Sequence, residues 1–393
     1  MKKFIPDFIL EKYSQKQFSG NFTGTILFAD IVGFTSVTNE LMKNGKAGAE
    51  VLGDIITDLF SPSLNIVHKH NGFVISILGD AFIAVFWNSE DSINAAKEIC
   101  NIFGKKKKQH TKFGNFEFSI KVGISGSEIN WEIVKNIHQN VFVFKSPSLK
   151  LSSELQKLCT ENSFLTDGID LRQQPKITVN KEYSQSSFVP KSLIELETEG
   201  EFREVISCFV HFGQHQNLIS GIIDFVQLYS GFIKDIDFTE KRIFVVFGAP
   251  TCPEKVFDSA INFTKGLQKK FNERLKFGLS YGTSFVGFIN SKFKSEYVII
   301  GRSVNFAARL VSSAKFGEIL VDERMNNNIS NSPVFIGKRK FKGFPQTVPV
   351  YRINSGSEIR LKASDKFIGR KKELKKLQTF ILSVVLIITQ NRK

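Results

Sequence analysis

The chain has 393 residues, 42% of them hydrophobic and 23% charged, a balance that excludes a disordered protein and allows two or three folded domains. Its net charge of +15 suits an anionic substrate, nucleic acid or an anionic membrane surface, so that peripheral membrane contact stays open. Four cysteines without paired spacing, six histidines without a zinc pattern and an apolar stretch at 380–389 too short to cross a bilayer point to a soluble, cytosolic protein with reduced thiols.

Residues 1–19 carry Phe4, Ile5, Phe8, Ile9 and Leu10 and read as an amphipathic lead-in that packs on the first domain. Ile26–Ala29 is a short apolar run, expected to be a buried strand, and Asp30 sets a carboxylate where that strand emerges. Gly33 permits a tight turn, after which Phe34-Thr35 opens the next element with free backbone N–H groups. Val51, Leu52, Ile55, Ile56, Leu59 and Phe60 then recur at helical spacing, and Pro62 is expected to end or kink that helix. Stretches 73–78 and 81–87 predict a hairpin with Gly79-Asp80 at its tip. If the two strands are neighbours, Asp80 faces Asp30. Two such carboxylates repel and need a cation or a shared proton. Oxygen-only ligands point to Mg²⁺ or a similar hard ion shared with a nucleotide's phosphates. An Asp after a strand, or a lone Gly-Asp, is ordinary turn chemistry; the combination carries the weight.

A helix at 91–103 follows, then four lysines at 105–108 that read as a solvated loop, without the interleaved aromatics of a nucleic-acid surface. Strands at 116–125 and 141–144 and a helix at 149–158 complete a first domain, 20–170, of α+β class with helices over one sheet face. Residues 171–200 read as a linker, and the pattern then repeats. A strand at 204–212, a helix at 219–229, a hairpin at 231–247, a helix at 257–271 and a strand at 275–281 make 201–353 a second copy. Its polar residues differ: His211 stands where the first copy has Asp30, and the hairpin tip near 240–242 has no Gly-Asp. In return, Asn305 and Arg309 lie four apart on one face of a predicted helix, with Val304, Ala307, Ala308 and Val311 expected to pack inward. Alone, such a pair is an ordinary surface helix. Carboxylates from one copy and donors from the other predict a single site at their junction.

The run Phe28-Ala29-Asp30-Ile31-Val32-Gly33-Phe34-Thr35, the Gly79-Asp80 tip and Glu296-Tyr297, Gly301, Asn305 and Arg309 together resemble the class III nucleotide cyclase family. The tandem arrangement over 20–353 is similar to the soluble, bicarbonate-responsive adenylyl cyclases. The resemblance implies two ferredoxin-like (βαββαβ) domains packed as a pseudo-two-fold intramolecular heterodimer within a monomer. It implies Asp30, Asp80 and the Ile31 carbonyl as ligands of two Mg²⁺ ions, replaceable by Mn²⁺, about 3.5–4 Å apart. It further implies substrate contacts at Phe34 and Thr35, an Asn305 that orients the ribose, and an Arg309 that meets charge growing on the α-phosphate. A donor of that kind is worth about 10²–10³ in rate. Lys342, within 341–345, would reach the terminal phosphates. The activity implied is conversion of ATP to 3′,5′-cyclic AMP and pyrophosphate, with no nucleic-acid partner.

Departures from the family qualify the substrate. The family's adenine-reading Lys and Thr fall here on Asp235, beside Lys234, and on Val298. Strict alternation sends only one of Lys234 and Asp235 into the cleft. Phe232, Ile236 and Phe238 mark the core face and Lys234 shares it, so Asp235 is expected in the cleft. Guanylate cyclases place an acidic residue there, which keeps GTP as the alternative substrate and an inactive, nucleotide-sensing pseudo-cyclase as a further reading. The two positions that hold bicarbonate in the family fall on Ser76 and Lys150, which weakens an anion response. Residues 367–374 resemble the entry to an NTPase module, with 384–389 as its first strand and no Gly-rich phosphate loop after it.

Overall fold

The structure is a computed structural model that describes residues 2–106, 108–171, 183–198, 200–329, 333–342, 344 and 346–354. The expected NTPase-like stretch lies outside the described residues, as does most of the first half of the linker. The two large sheets fall in one compact unit, Met1–Gly356.

The first sheet is organised by the strand Ser19–Val32. Alternate residues point to opposite faces: Leu27, Ala29 and Ile31 pack beneath helices with Leu52, Ile56 and Phe60, while Ile26 joins a cluster on the other face. The strand pairs antiparallel with Ala81–Phe86 on one side and Ser119–Val134 on the other, and Phe73–Leu78 completes the hairpin edge. This is the strand order of a βαββαβ unit. Ser119–Val134 outruns the expected 116–125 because it serves two neighbours, Ser163–Thr166 in parallel and Val141–Lys145 antiparallel. The helices are Phe34–Met42, Gly45–Lys69, Ser89–Lys106 and Pro147–Leu158.

Pro62 does not end its helix, which runs on to Lys69. A mid-helix proline costs about 3 kcal/mol. Leu59, Phe60, Leu64 and Val67 around it are each no more than 1% exposed, and burial of one such side chain returns roughly 1.5–3 kcal/mol. Packing outweighs the break. The lysine run is likewise not a loop: the helix extends to Lys106, and Lys108 opens a short strand.

The second sheet repeats the plan. Glu201–His211 is flanked by Arg242–Phe247 and Lys276–Asn290, and Phe232–Asp237 closes the hairpin. Lys276–Asn290 again divides its far edge, between Ile319–Val321 in parallel and Ser295–Ile300 antiparallel. The sheet then continues into Val348–Ile353 and Val334–Arg339. One buried cluster joins the two lobes, with Ile83, Val85 and Trp131 from the first against Val246, Phe288 and Tyr297 from the second. The lead-in helix Asp7–Ser14 plugs the same region, where Phe8 meets Phe22, Trp87 and Trp131 at ring separations of 5.5, 5.6 and 5.5 Å. No helix among the described residues is long and apolar enough to cross a membrane.

Candidate active site

Sheet register brings the two aspartates together. Asp30 is the register partner of Ala81, the residue after Asp80, and the Ile31 N–H donates to the Asp80 carbonyl at 2.8 Å. A strand residue's N–H and C=O share an edge, so the Ile31 carbonyl also lies on the hairpin side. Burial, and then repulsion from Asp80, push the Asp30 carboxyl up to about 6, against the pull of Gln156, Lys121 and Lys157. Gln156 Nε2 donates to Asp30 Oδ2 at 2.9 Å. Asp80 is also raised, chiefly by burial, while Thr35 Oγ1 donates to its Oδ2 at 3.3 Å.

Local chemistry explains the turn beside them. Gly33 has φ 96°, and a Cβ there would stand 2.7 Å from the Glu117 carbonyl oxygen, so the chain enters Phe34–Met42 directly from the strand. The first N–H groups of that helix have no intrahelical partner and carry its positive end. The Phe34 side chain is buried against Phe60 and Phe118, so this residue can offer a ligand only its backbone.

A cavity of about 210 Å³ lies between the lobes. Thr35, Asn39 and Asp80 line it from the first lobe, and Lys234, Asp235, Arg302 and Asn305 from the second. Asn305 sits on the helix Arg302–Ser313, whose buried face is Ser303, Ala307, Leu310 and Val311. Val304 and Ala308, expected to pack inward, instead line the cavity beside Asn305. That helix lies directly on the strand beneath it because Gly278 has no Cβ, which would stand 2.5 Å from the Ala307 carbonyl oxygen. Gly123 does the same for Pro147–Leu158, the helix that delivers Gln156 to Asp30.

Lys234 and Asp235 do not alternate between core and cleft. The hairpin register slips between Ile233 and Asp235, so Lys234 is a bulged residue, and both side chains line the cavity. The first-lobe hairpin slips at the matching place, between Val74 and Ser76. Lys234 Nζ donates to Glu296 Oε1 at 2.5 Å and to the Ile77 carbonyl of the first lobe at 3.2 Å. Asp235 Oδ1 accepts from Ser76 Oγ at 2.9 Å. Burial pushes the Asp235 carboxyl up to about 6, opposed by Lys234 and assisted by Asp237.

Six expected site residues do not line this cavity: Asp30, Ile31 and Phe34, which adjoin Asp80 and Thr35, and Val298, Arg309 and Lys342, which stand elsewhere. Val298 is 0% exposed and belongs to the core, and the cavity is met instead by its neighbours Ile299 and Ile300. Arg309 is exposed one turn beyond Asn305, and Lys342 is exposed; neither lines the cavity. The cations that do are Lys234, Arg242 and Arg302, and the Arg302 guanidinium lies 4.8 Å from the Phe344 ring centre. Among the described residues there is no cluster of three or more His, Cys, Asp or Glu suited to a metal ion. The candidate ligand set is therefore two carboxylates and a carbonyl. Sequence reasoning missed Gln156, Arg302 and the Phe209–Phe244 pair, stacked at 4.5 Å on the cavity wall. Ser76 and Lys150 line a second cavity, of about 350 Å³, that shares Lys234 and Asp235 with the first.

Residues 20–146 match the family described as the adenylate and guanylate cyclase catalytic domain. The match covers the first lobe, whose βαββαβ sheet carries the paired aspartates. Over 88% of its length it is similar to adenylate cyclase type 10, at 21% identity to the Oryctolagus cuniculus protein and 20% to the Homo sapiens one. It spans 28% of the length of these relatives. The crystal structure of a class III adenylyl cyclase-like ATP-binding protein from Pseudomonas aeruginosa superposes with a TM-score of 0.58 at 11% identity, covering 84% of this chain and 94% of that one. The tandem fold is thus shared across both lobes.

Proposed function

We propose that the chain is an adenylate cyclase that converts ATP to 3′,5′-cyclic AMP and pyrophosphate in the cavity between its lobes. One observation carries this reading: Asp80 and Thr35 from one lobe share a cavity with Asn305, Lys234 and Asp235 from the other. Both halves of the site belong to one chain, so a monomer suffices.

The residues fit a hard divalent cation. Asp30 and Asp80 are neighbouring oxygen donors whose raised carboxyls mark a place where added positive charge is favourable. The Ile31 carbonyl adds a third oxygen, a set that suits Mg²⁺ or Mn²⁺. When bound, such ions would acidify the ribose 3′-hydroxyl and neutralise phosphate charge. The amides at Phe34 and Thr35 receive phosphate oxygens, and Asn305 fixes the ribose. The 3′-oxygen bonds to the α-phosphorus as the bond to pyrophosphate breaks, and the hydroxyl proton passes to water. Arg309, one turn along from Asn305, answers the charge that grows on the α-phosphate. Lys342 or Arg302 meets the outer phosphates, and Lys234 and Asp235 face the base.

A guanylate cyclase is the second reading, favoured by Asp235, since a carboxylate can accept both donors on guanine's edge. Purified chain incubated with Mn²⁺ and either ATP or GTP, with the cyclic product identified by chromatography, decides between them. More cyclic AMP supports the proposal, and more cyclic GMP transfers it to the second reading. Neither product, with nucleotide still bound, makes the chain a pseudo-cyclase.

A further inference from the structure

The base end of the cavity is wired to the start of the chain. Lys234 Nζ holds Glu296 Oε1, and Glu296 Oε2 in turn pairs with Lys294 Nζ at 2.9 Å. Lys294 Nζ also donates to the Phe4 carbonyl at 2.5 Å. The strap that offers this carbonyl is itself fixed. Ser295 N–H donates to the Lys3 carbonyl at 2.6 Å, and the N–H groups of Phe4 and Ile5 donate to Gln185 Oε1 at 2.7 and 3.0 Å. Gln185 Nε2 returns a bond to the Lys2 carbonyl at 2.9 Å.

Three charges are removed from water here, with the side chains of Lys234, Lys294 and Glu296 exposed by only 4%, 6% and 14%. Burial pushes the Glu296 carboxyl up, but the two lysines outweigh it and hold it below the usual range. A buried ion triad is seldom more stable than apolar residues of the same volume, so stability alone does not explain it. An ammonium has three donors. Glu296 and the Ile77 carbonyl take two of those on Lys234, which leaves one for the cavity that this residue lines.

We propose that Glu296 and Lys294 are positioning residues for Lys234, and that the strap at residues 2–5 locks them, making the N-terminal segment part of the base-recognition apparatus. The proposal rests on the reading that this cavity takes a purine nucleotide.

The test compares wild type with Glu296→Gln, Lys294→Met, Lys294→Arg and Gln185→Leu, the last loosening the strap without touching the triad. Turnover of ATP and GTP is measured together with binding of the fluorescent N-methylanthraniloyl derivatives of both nucleotides, and circular dichroism verifies folding. A hydrogen bond to a charged group sets the scale, so Glu296→Gln should raise KM and the dissociation constant for ATP by roughly 10- to 100-fold. The ATP-to-GTP preference should collapse toward one while kcat stays within a few-fold. Lys294→Met should move the same quantities by less, Lys294→Arg should restore them, and Gln185→Leu should shift KM a few-fold. Folded variants with wild-type KM and selectivity, or with a loss confined to kcat, overturn the proposal. If Glu296→Gln does not fold, the Lys294 and Gln185 variants decide by the same criteria. Wild-type binding without turnover would remove the enzymatic reading yet leave the binding comparison decisive here.

Discussion

Replacing Asp30 by Asn should stabilise the metal-free chain while abolishing turnover. The folded-state carboxyl is raised from 3.8 to about 6, so the native chain binds this proton more tightly than the unfolded one. The stabilising effect of the bound proton is complete below 3.8 and is lost as pH rises through about 6. A rise of that size corresponds to about 3 kcal/mol of lost stability at pH 7.5. Asn removes the charge but keeps an oxygen that can accept from Gln156, and it also relieves Asp80. For a unit of this size roughly 2 °C accompanies each kcal/mol, so Tm in EDTA should rise by about 6 °C. At pH 5 the stability gap should shrink to about half, because wild-type Asp30 is then largely protonated. Excess Mg²⁺ should stabilise wild type by mass action and the Asn variant much less. Thermal unfolding at the two pH values, with EDTA or Mg²⁺, reads all of this. An Asn variant that is less stable in EDTA at pH 7.5, or a gap indifferent to pH, would refute the reasoning.

Other outcomes follow from the same geometry. Arg309→Ala should lower kcat by about 10²–10³ with KM within a few-fold; an equal loss in both would argue against a transition-state role. The Asp235 carboxyl, raised to about 6, can accept both guanine donors through its two oxygens only once ionised. The preference for ATP over GTP should therefore fall as pH rises from 5.5 to 7.5, whereas Asp235→Asn should give a flat ratio. Cys100, Cys159 and Cys208 are buried and Cys252 is exposed. A thiol reagent at pH 8 should therefore modify one cysteine of the folded chain and four after unfolding; rapid modification of more than one would contradict the packing.

The parts of the site that sequence made legible are those set by local chemistry. A strand end at Asp30, a left-handed glycine at 33 and a two-residue hairpin tip at Gly79-Asp80 each depend on a few adjacent residues, and the structure keeps them. The i, i+4 spacing of Asn305 and Arg309 is equally local, since both lie on Arg302–Ser313. What stayed hidden is set by distant partners. The bulge at Lys234 arises from pairing with Arg242–Phe247, which alternation within one strand cannot reveal. Gln156 is one polar residue among several on its helix until that helix is laid on Gly123, over the strand that carries Asp30. Pro62 looked like a stop because its cost is local, whereas the packing that overrides it comes from several elements.

Acids from the first lobe and an amide–guanidinium pair from the second are proposed to act on one triphosphate. The most direct measurement is a crystal structure of the chain with Mg²⁺ and a non-cyclising ATP analogue that lacks the 3′-hydroxyl. Phosphates are expected beside Asp30 and Asp80, the ribose at Asn305 and the base against Lys234 and Asp235. A nucleotide seated instead in the cavity lined by Ser76 and Lys150, with Asn305 untouched, would contradict that placement.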